Sequence, residues 1–155
     1  MINEKNWVPW TINTCLVIFI IALLYNESSY KDKREIEKVY KAYIEDFIEN
    51  DFDGIASHFE LPVNFISFDI IAENKMQVIS VYKDIKDNIQ DGYSYSTVDS
   101  LKISKKNDFY VADVIYSRFN SNDEKLFTGN TLYEFKETDS GWKMFSLNGI
   151  TDFES

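Results

Sequence analysis

Ile36, Val39, Tyr40, Tyr43, Ile44, Phe47 and Ile48 recur every three or four positions, with Glu35, Glu37, Lys38, Lys41 and Glu45 between them. That spacing predicts a helix with one buried face. Asn50 and Asp51 break the pattern, Asp53 and Gly54 can turn the chain, and Ile55, Ala56 and Phe59 supply the apolar side of a short second helix. Pro62 excludes further helix, and Val63, Phe65 and Ser67 then alternate with Asn64 and Ile66 as in a strand. Asn74 can cap a third helix carrying Met76, Val78, Ile79, Tyr82, Ile85 and Ile89 and ending near Asp91 and Gly92. Four strand-like runs follow, at 93–103, 109–119, 126–135 and 142–147, with polar turns between them that make antiparallel hairpins. Helices first and a meander after predict an α+β domain, with three helices on one side of a curved, mostly antiparallel sheet.

Ahead of this pattern, residues 7–25 carry no charge and, at ~1.5 Å per residue, would extend about 28 Å as a helix, close to the ~30 Å of a bilayer's hydrocarbon core. Trp7, Trp10 and Tyr25 bracket the segment as interfacial aromatics do. The residues that follow offer no small-residue cleavage site, and Cys15 precedes the apolar run, where a lipoprotein cysteine would follow it. The expectation is therefore a membrane anchor over residues 1–26, spanning once through 7–25, and a separate domain over 27–155. Lys31, Lys33 and Arg34 outweigh Lys5 and the terminal amine, a bias that points to a cytoplasmic domain. A short tail ahead of a globular domain is also compatible with export, so both sides of the membrane stay open.

The succession at 43–67, YIEDFIENDFDGIASHFELPVNFIS, and the closing LYEFKETDSGWKMFSL at 132–147 together resemble the nuclear transport factor 2-like superfamily. That superfamily includes ketosteroid isomerases, scytalone dehydratase and SnoaL-type polyketide cyclases. The resemblance covers roughly residues 30 to 150 and implies a cone-shaped, cystatin-like fold. Its motifs are built from hydrophobic spacing, so they speak to fold and hardly to chemistry.

A net charge of -10 and the absence of a Lys/Arg cluster exclude a nucleic-acid partner, since phosphate binding depends on concentrated positive charge. The single Cys15 excludes an internal disulfide and cysteine-rich zinc sites, and the single His58 removes two-histidine ligand sets. Asp46, Glu49, Asp51 and Asp53 lack the spacing of a calcium loop and read as a charged turn. No metal and no cofactor is expected. An aromatic content of 16% suits a deep core or an aromatic-lined cavity.

What the resemblance implies about chemistry is mostly subtraction. In ketosteroid isomerases a helix Tyr and a strand Asp hydrogen-bond an oxyanion while a second Asp moves the proton. Aligned through DFDG, the Tyr position falls on Tyr43, the base position on Ser67 and the second acid position on Thr131. A hydroxyl without an adjacent base cannot take a carbon-bound proton near neutral pH. Strand alternation places Phe65 and Ser67 with Thr131 and Tyr133, facing Tyr43 and Phe47 across a cavity. Those six residues are the expected ligand-binding set, and an apolar pocket with a few hydroxyls suits a neutral, ring-sized ligand. The expected function is a non-catalytic, membrane-tethered domain that takes a small apolar ligand or a protein partner, a second copy of the chain being one candidate. The alternative is a small lyase or isomerase using Tyr43 as donor and Asp69 or Asp113 as base. Some superfamily members use a histidine as acid or base, which the resemblance would extend to His58, but its place beside Phe59 favours surface or packing duty.

Overall fold

A computed structural model describes the backbone of residues 10–150. The chain divides into two compact units, Met1–Arg34 and Glu35–Ser155. In order, the elements are α1 (Trp10–Glu49), α2 (Phe52–Ser57), β1 (Phe59–Phe65), a single 3₁₀ turn (Ile66–Phe68), β2 (Ile70–Ala72), α3 (Lys75–Asp87), β3 (Tyr93–Lys106), β4 (Phe109–Asn120), β5 (Lys125–Thr138) and β6 (Gly141–Ile150). The strands form one curved sheet in the order β2-β1-β6-β5-β4-β3. All neighbours are antiparallel except β1 and β6, which run parallel.

The membrane anchor does not survive. Among the described residues no helix is long and apolar enough to cross a membrane, and the expected separate helix is the first part of α1, a 40-residue helix. Residues 7–9 of the expected span lie outside the described residues. The physical reason is the brevity of the apolar run. Thr11, Asn13 and Thr14 precede it and Asn26, Glu27 and Ser28 follow it, so the unbroken stretch 15–25 reaches only about 16 Å, roughly half a hydrocarbon core. Single-pass membrane localisation, and with it the question of which side the domain faces, is therefore withdrawn. Ile18, Ile21 and Leu24 of this stretch are exposed.

The second unit is built as its hydrophobic spacing requires. Ile36, Tyr40, Tyr43 and Phe47 of α1 are buried, as are Val78, Ile79, Val81 and Tyr82 of α3. On the sheet, Tyr110, Ala112 and Val114 of β4, Thr131, Tyr133 and Phe135 of β5, and Trp142 and Met144 of β6 face the same core. Asn74 caps α3 by accepting from the Gln77 amide at 3.1 Å, and Asp51 caps α2 by accepting from Gly54 at 2.9 Å, each satisfying an amide that has no partner within its helix.

Three details depart from the expected strands. β1 stops at Phe65, so Ser67 lies in the 3₁₀ turn and not on a strand. Asp69 follows with φ 53°, a left-handed conformation that ends the turn and removes it from any strand face shared with Phe65. β2, three residues long, was not foreseen. At the opposite edge, β3 runs for 14 residues, with its register against β4 slipping between Tyr93 and Tyr95 and again between Val98 and Ser100. Further slips fall between Arg118 and Phe119 and between Glu134 and Phe135. Such bulges increase local twist and bend the strand that carries them.

Candidate functional site

Curvature leaves a cavity of about 660 Å³ between α1, α3 and the concave face of the sheet, within the ~300–1,000 Å³ range of small-molecule pockets. α1 contributes Tyr40, Tyr43, Ile44 and Phe47, and α3 contributes Val81, Tyr82 and Ile85. The sheet contributes Val98, Tyr116, Arg118, Phe127, Thr131, Tyr133 and Leu147. Phe68 and Ile70, half-exposed around the 3₁₀ turn, lie at its border.

Its inner part is a cluster of phenols. Tyr40, Tyr43, Tyr82 and Tyr133 are all buried, and their rings meet edge-on or tilted, at 5.1 Å between Tyr40 and Tyr133, 5.9 Å between Tyr43 and Tyr82, and 5.8 Å between Tyr43 and Tyr133. The Tyr43 and Tyr82 hydroxyls are hydrogen-bonded at 2.9 Å. The Tyr40 hydroxyl is buried beside Tyr133 without a partner in hydrogen-bond geometry. Burial first, and the neighbouring phenol second, push all four hydroxyls above the usual tyrosine range. They are neutral donors and acceptors at any physiological pH, unable to act as bases.

At another part of the wall stands one cation. Arg118 donates from Nη1 to Gln90 Oε1 at 2.9 Å, and its guanidinium lies 5.3 Å from the centres of both the Tyr116 and the Phe127 rings. Tyr116 can lie beside Phe127 because the residue opposite it on β5 is Gly129, where a Cβ would come within 2.7 Å of the Tyr116 hydroxyl and 2.6 Å of the Phe127 ring. Nearby, Lys86 Nζ sits 4.0 Å above the Phe47 ring and 4.9 Å from that of Tyr93. Burial, and then the Arg118 charge, lower its ammonium to about 8.

Of the residues expected from sequence, Tyr43, Phe47, Ser67, Thr131 and Tyr133 line the cavity. Phe65 does not; it is fully buried behind the wall, 6.0 Å from the rings of both Phe59 and Tyr82. Ser67 is occupied by β6, accepting from the Gly149 amide at 2.6 Å and lying 3.1 Å from the Gly149 carbonyl. Neither carboxylate of the lyase alternative reaches the cavity. Asp69 is exposed beyond the 3₁₀ turn. Asp113 alternates away from Ala112 and Val114 and accepts from Asn130 Nδ2 at 3.0 Å. The carboxylate that does line the cavity, Asp84, is exposed. His58 serves structure: Nε2 lies 2.7 Å from Asp46 Oδ2, joining the end of α1 to the entry of β1, and its ring stands edge-on to Tyr43. Among the described residues no cluster of His, Cys, Asp and Glu could hold a metal ion.

Sequence reasoning passed over Tyr82, Tyr116 and Arg118. For Arg118 a signal was present, since the alternation that buries Tyr110, Ala112 and Val114 places Tyr116 and Arg118 on the same face.

Comparison with known proteins agrees with this architecture. Residues 33–150 match the family described as NTF2-like protein (DUF6841). A protein of unknown function with a cystatin-like fold from Nostoc punctiforme superposes with TM-score 0.65 at 14% identity, covering 76% of this chain and 89% of its own. An NTF2-like protein from Novosphingobium aromaticivorans gives TM-score 0.64 at 13% identity, covering 86% and 90%. An NTF2-like protein of unknown function from Pseudomonas putida gives 0.64 at 10%, covering 81% and 89%. At these identities the similarity concerns the fold. Among the curated proteins none matches the chain.

Proposed function

The chain belongs to the NTF2-like family DUF6841, and from that premise we propose that it is a non-catalytic binding domain whose cavity takes one small, largely apolar ring compound. The observation that carries the reading is the composition of the cavity wall. Phe47, Val98, Phe127 and Leu147 offer apolar area, and the buried phenols of Tyr43, Tyr82 and Tyr133 offer hydrogen bonds. Burying a flat ring against such a wall contributes on the order of 25 cal/mol per Å² of apolar surface, and the phenols orient it. A proton-transfer enzyme needs a base near its donors. Here the phenols are held neutral, Ser67 is engaged by Gly149, Asp69 and Asp113 are not among the lining residues, and the lining carboxylate, Asp84, is exposed to water rather than buried beside the phenols.

The experiment is calorimetric titration of the full chain with 2-naphthol, a ring compound carrying one hydroxyl. Saturable binding at one site is expected, weakened by about 0.5–1.5 kcal/mol in Tyr43→Phe, the worth of one neutral hydrogen bond, and weakened also in Val98→Trp, which narrows the cavity. Binding indifferent to both substitutions would sink the proposal.

A further inference from the structure

We infer that the ligand of this cavity carries one anionic group of the carboxylate kind, and that Arg118 receives it, in place of the neutral ligand that the sequence alone suggested. The inference rests on the cavity being a binding site. Guanidinium stays charged under all physiological conditions, and a charge partly removed from water is costly unless paired. Arg118 is half-buried, with its Nε closed off from solvent and without a hydrogen-bond partner.

No counter-ion compensates it from within. Among the described residues no carboxylate lies within ion-pair distance of Arg118, and its one hydrogen-bond partner is the neutral Gln90. This happens in a chain with 26 acidic residues against 16 basic ones, where a structural arginine would readily find an acid. Asp84 borders the same cavity without pairing. Lys86, close enough that the Arg118 charge helps lower its ammonium to about 8, makes the surroundings more positive.

The group is also held in a defined place. Gln90 fixes one nitrogen, and the neighbouring Tyr116 and Phe127 rings both lie 5.3 Å from the guanidinium. Aromatic contacts stabilise a cation while leaving its remaining N–H groups able to donate hydrogen bonds to a carboxylate in the guanidinium plane. An aromatic acid therefore matches the wall: ring against the apolar side chains, anion at Arg118, and any ring hydroxyl toward the phenol cluster.

The test compares naphthalene-2-carboxylate with naphthalene-2-carboxamide on the full chain by calorimetry. The pair shares a ring and differs in charge. The carboxylate should bind about ten-fold more tightly or better, the usual advantage of a charge-assisted hydrogen bond. Arg118→Gln should bring the carboxylate down to the amide's affinity, and Arg118→Lys, which keeps the charge, should retain part of the preference. Equal affinity of the two probes for the unaltered chain, or a preference that persists in Arg118→Gln, would overturn the inference while leaving the cavity reading standing. If neither probe binds the unaltered chain, the cavity reading falls and the inference with it.

Discussion

The Tyr43 hydroxyl meets that of Tyr82 at 2.9 Å, the one side-chain hydrogen bond between α1 and α3 among the described residues. Both groups are buried, so each depends on the other to replace the water it has left. Removing one phenol oxygen orphans its partner. Tyr43→Phe and Tyr82→Phe should each cost about 1–2 kcal/mol, and the double replacement less than their sum, because two apolar rings leave nothing unsatisfied. Urea denaturation of the four proteins in a double-mutant cycle checks this, and strict additivity would mean that the two hydroxyls do not interact.

Alkaline titration should separate these phenols from the rest. Their pKa values are raised by burial and then by each other, so above pH ~10 the native chain keeps protons that the unfolded chain gives up. Their contribution to stability is complete below that pH and declines as pH rises through it. Lys86 works in the opposite sense. With its ammonium lowered from 10.5 to about 8, the unfolded chain binds the extra proton between those values, and stability gains with pH in that window. Tyrosinate absorbance of the folded chain should accordingly lag that of the urea-unfolded chain, with the delayed phenols ionising only as the fold is lost. Lys86→Gln should flatten the rise between pH 8 and 10.

The corner between α1 and β1 should be sensitive to its single histidine. Asp46→Ala removes the partner of His58, and Gly54→Ala places a methyl within 2.7 Å of the Asp46 carboxyl. Each should cost about 1–3 kcal/mol, Asp46→Ala by losing a hydrogen bond to a charged group and Gly54→Ala by overpacking against the same carboxyl. Thermal unfolding monitored by circular dichroism decides it; an unchanged midpoint in Asp46→Ala would show the contact to be idle.

Gly129→Ala should disturb the Arg118 platform. The added methyl would have to displace the Tyr116 ring and the edge of Phe127, an overpacking that costs about 1–3 kcal/mol. Stability should fall, and the difference in affinity between naphthalene-2-carboxylate and its amide should narrow. A variant with wild-type stability and an undiminished preference would show that the two rings do not position the guanidinium.

Shortening the chain tests the first unit. Every buried apolar side chain among the described residues belongs to Ile36 or later, so removing residues 1–26 should change the free energy of unfolding by no more than about 0.5 kcal/mol. Loss of the cooperative transition would assign those residues to the core.

Much of the architecture could be read in advance because it follows from period. Ile36 to Phe47 and Val78 to Tyr82 repeat as helices do, and the polar turns mark off the four long strands. Ser67 was misplaced because a hydroxyl that bonds to the Gly149 backbone competes with continuation of a strand, and that partner lies 82 residues away. Tyr82 looked like an ordinary core residue of α3. Its role beside Tyr43 arises where two helices cross, which no local pattern records. The anchor was misjudged because the bracketing aromatics and the lack of a cleavage site were weighed above length: within the uncharged stretch of 19 residues the unbroken apolar run is only 11.

The two borders of the sheet resist recruitment into larger assemblies by different means. β2 offers three residues, too few to template a neighbour. β3 is long enough to be dangerous, yet its pairing slips twice and Lys102, Lys105 and Lys106 stud its far half. A strand from another molecule would meet kinked backbone and repelling ammonium groups instead of a straight row of unpaired amides. At high concentration the domain should therefore stay free of fibrils without a second protein to shield its rim.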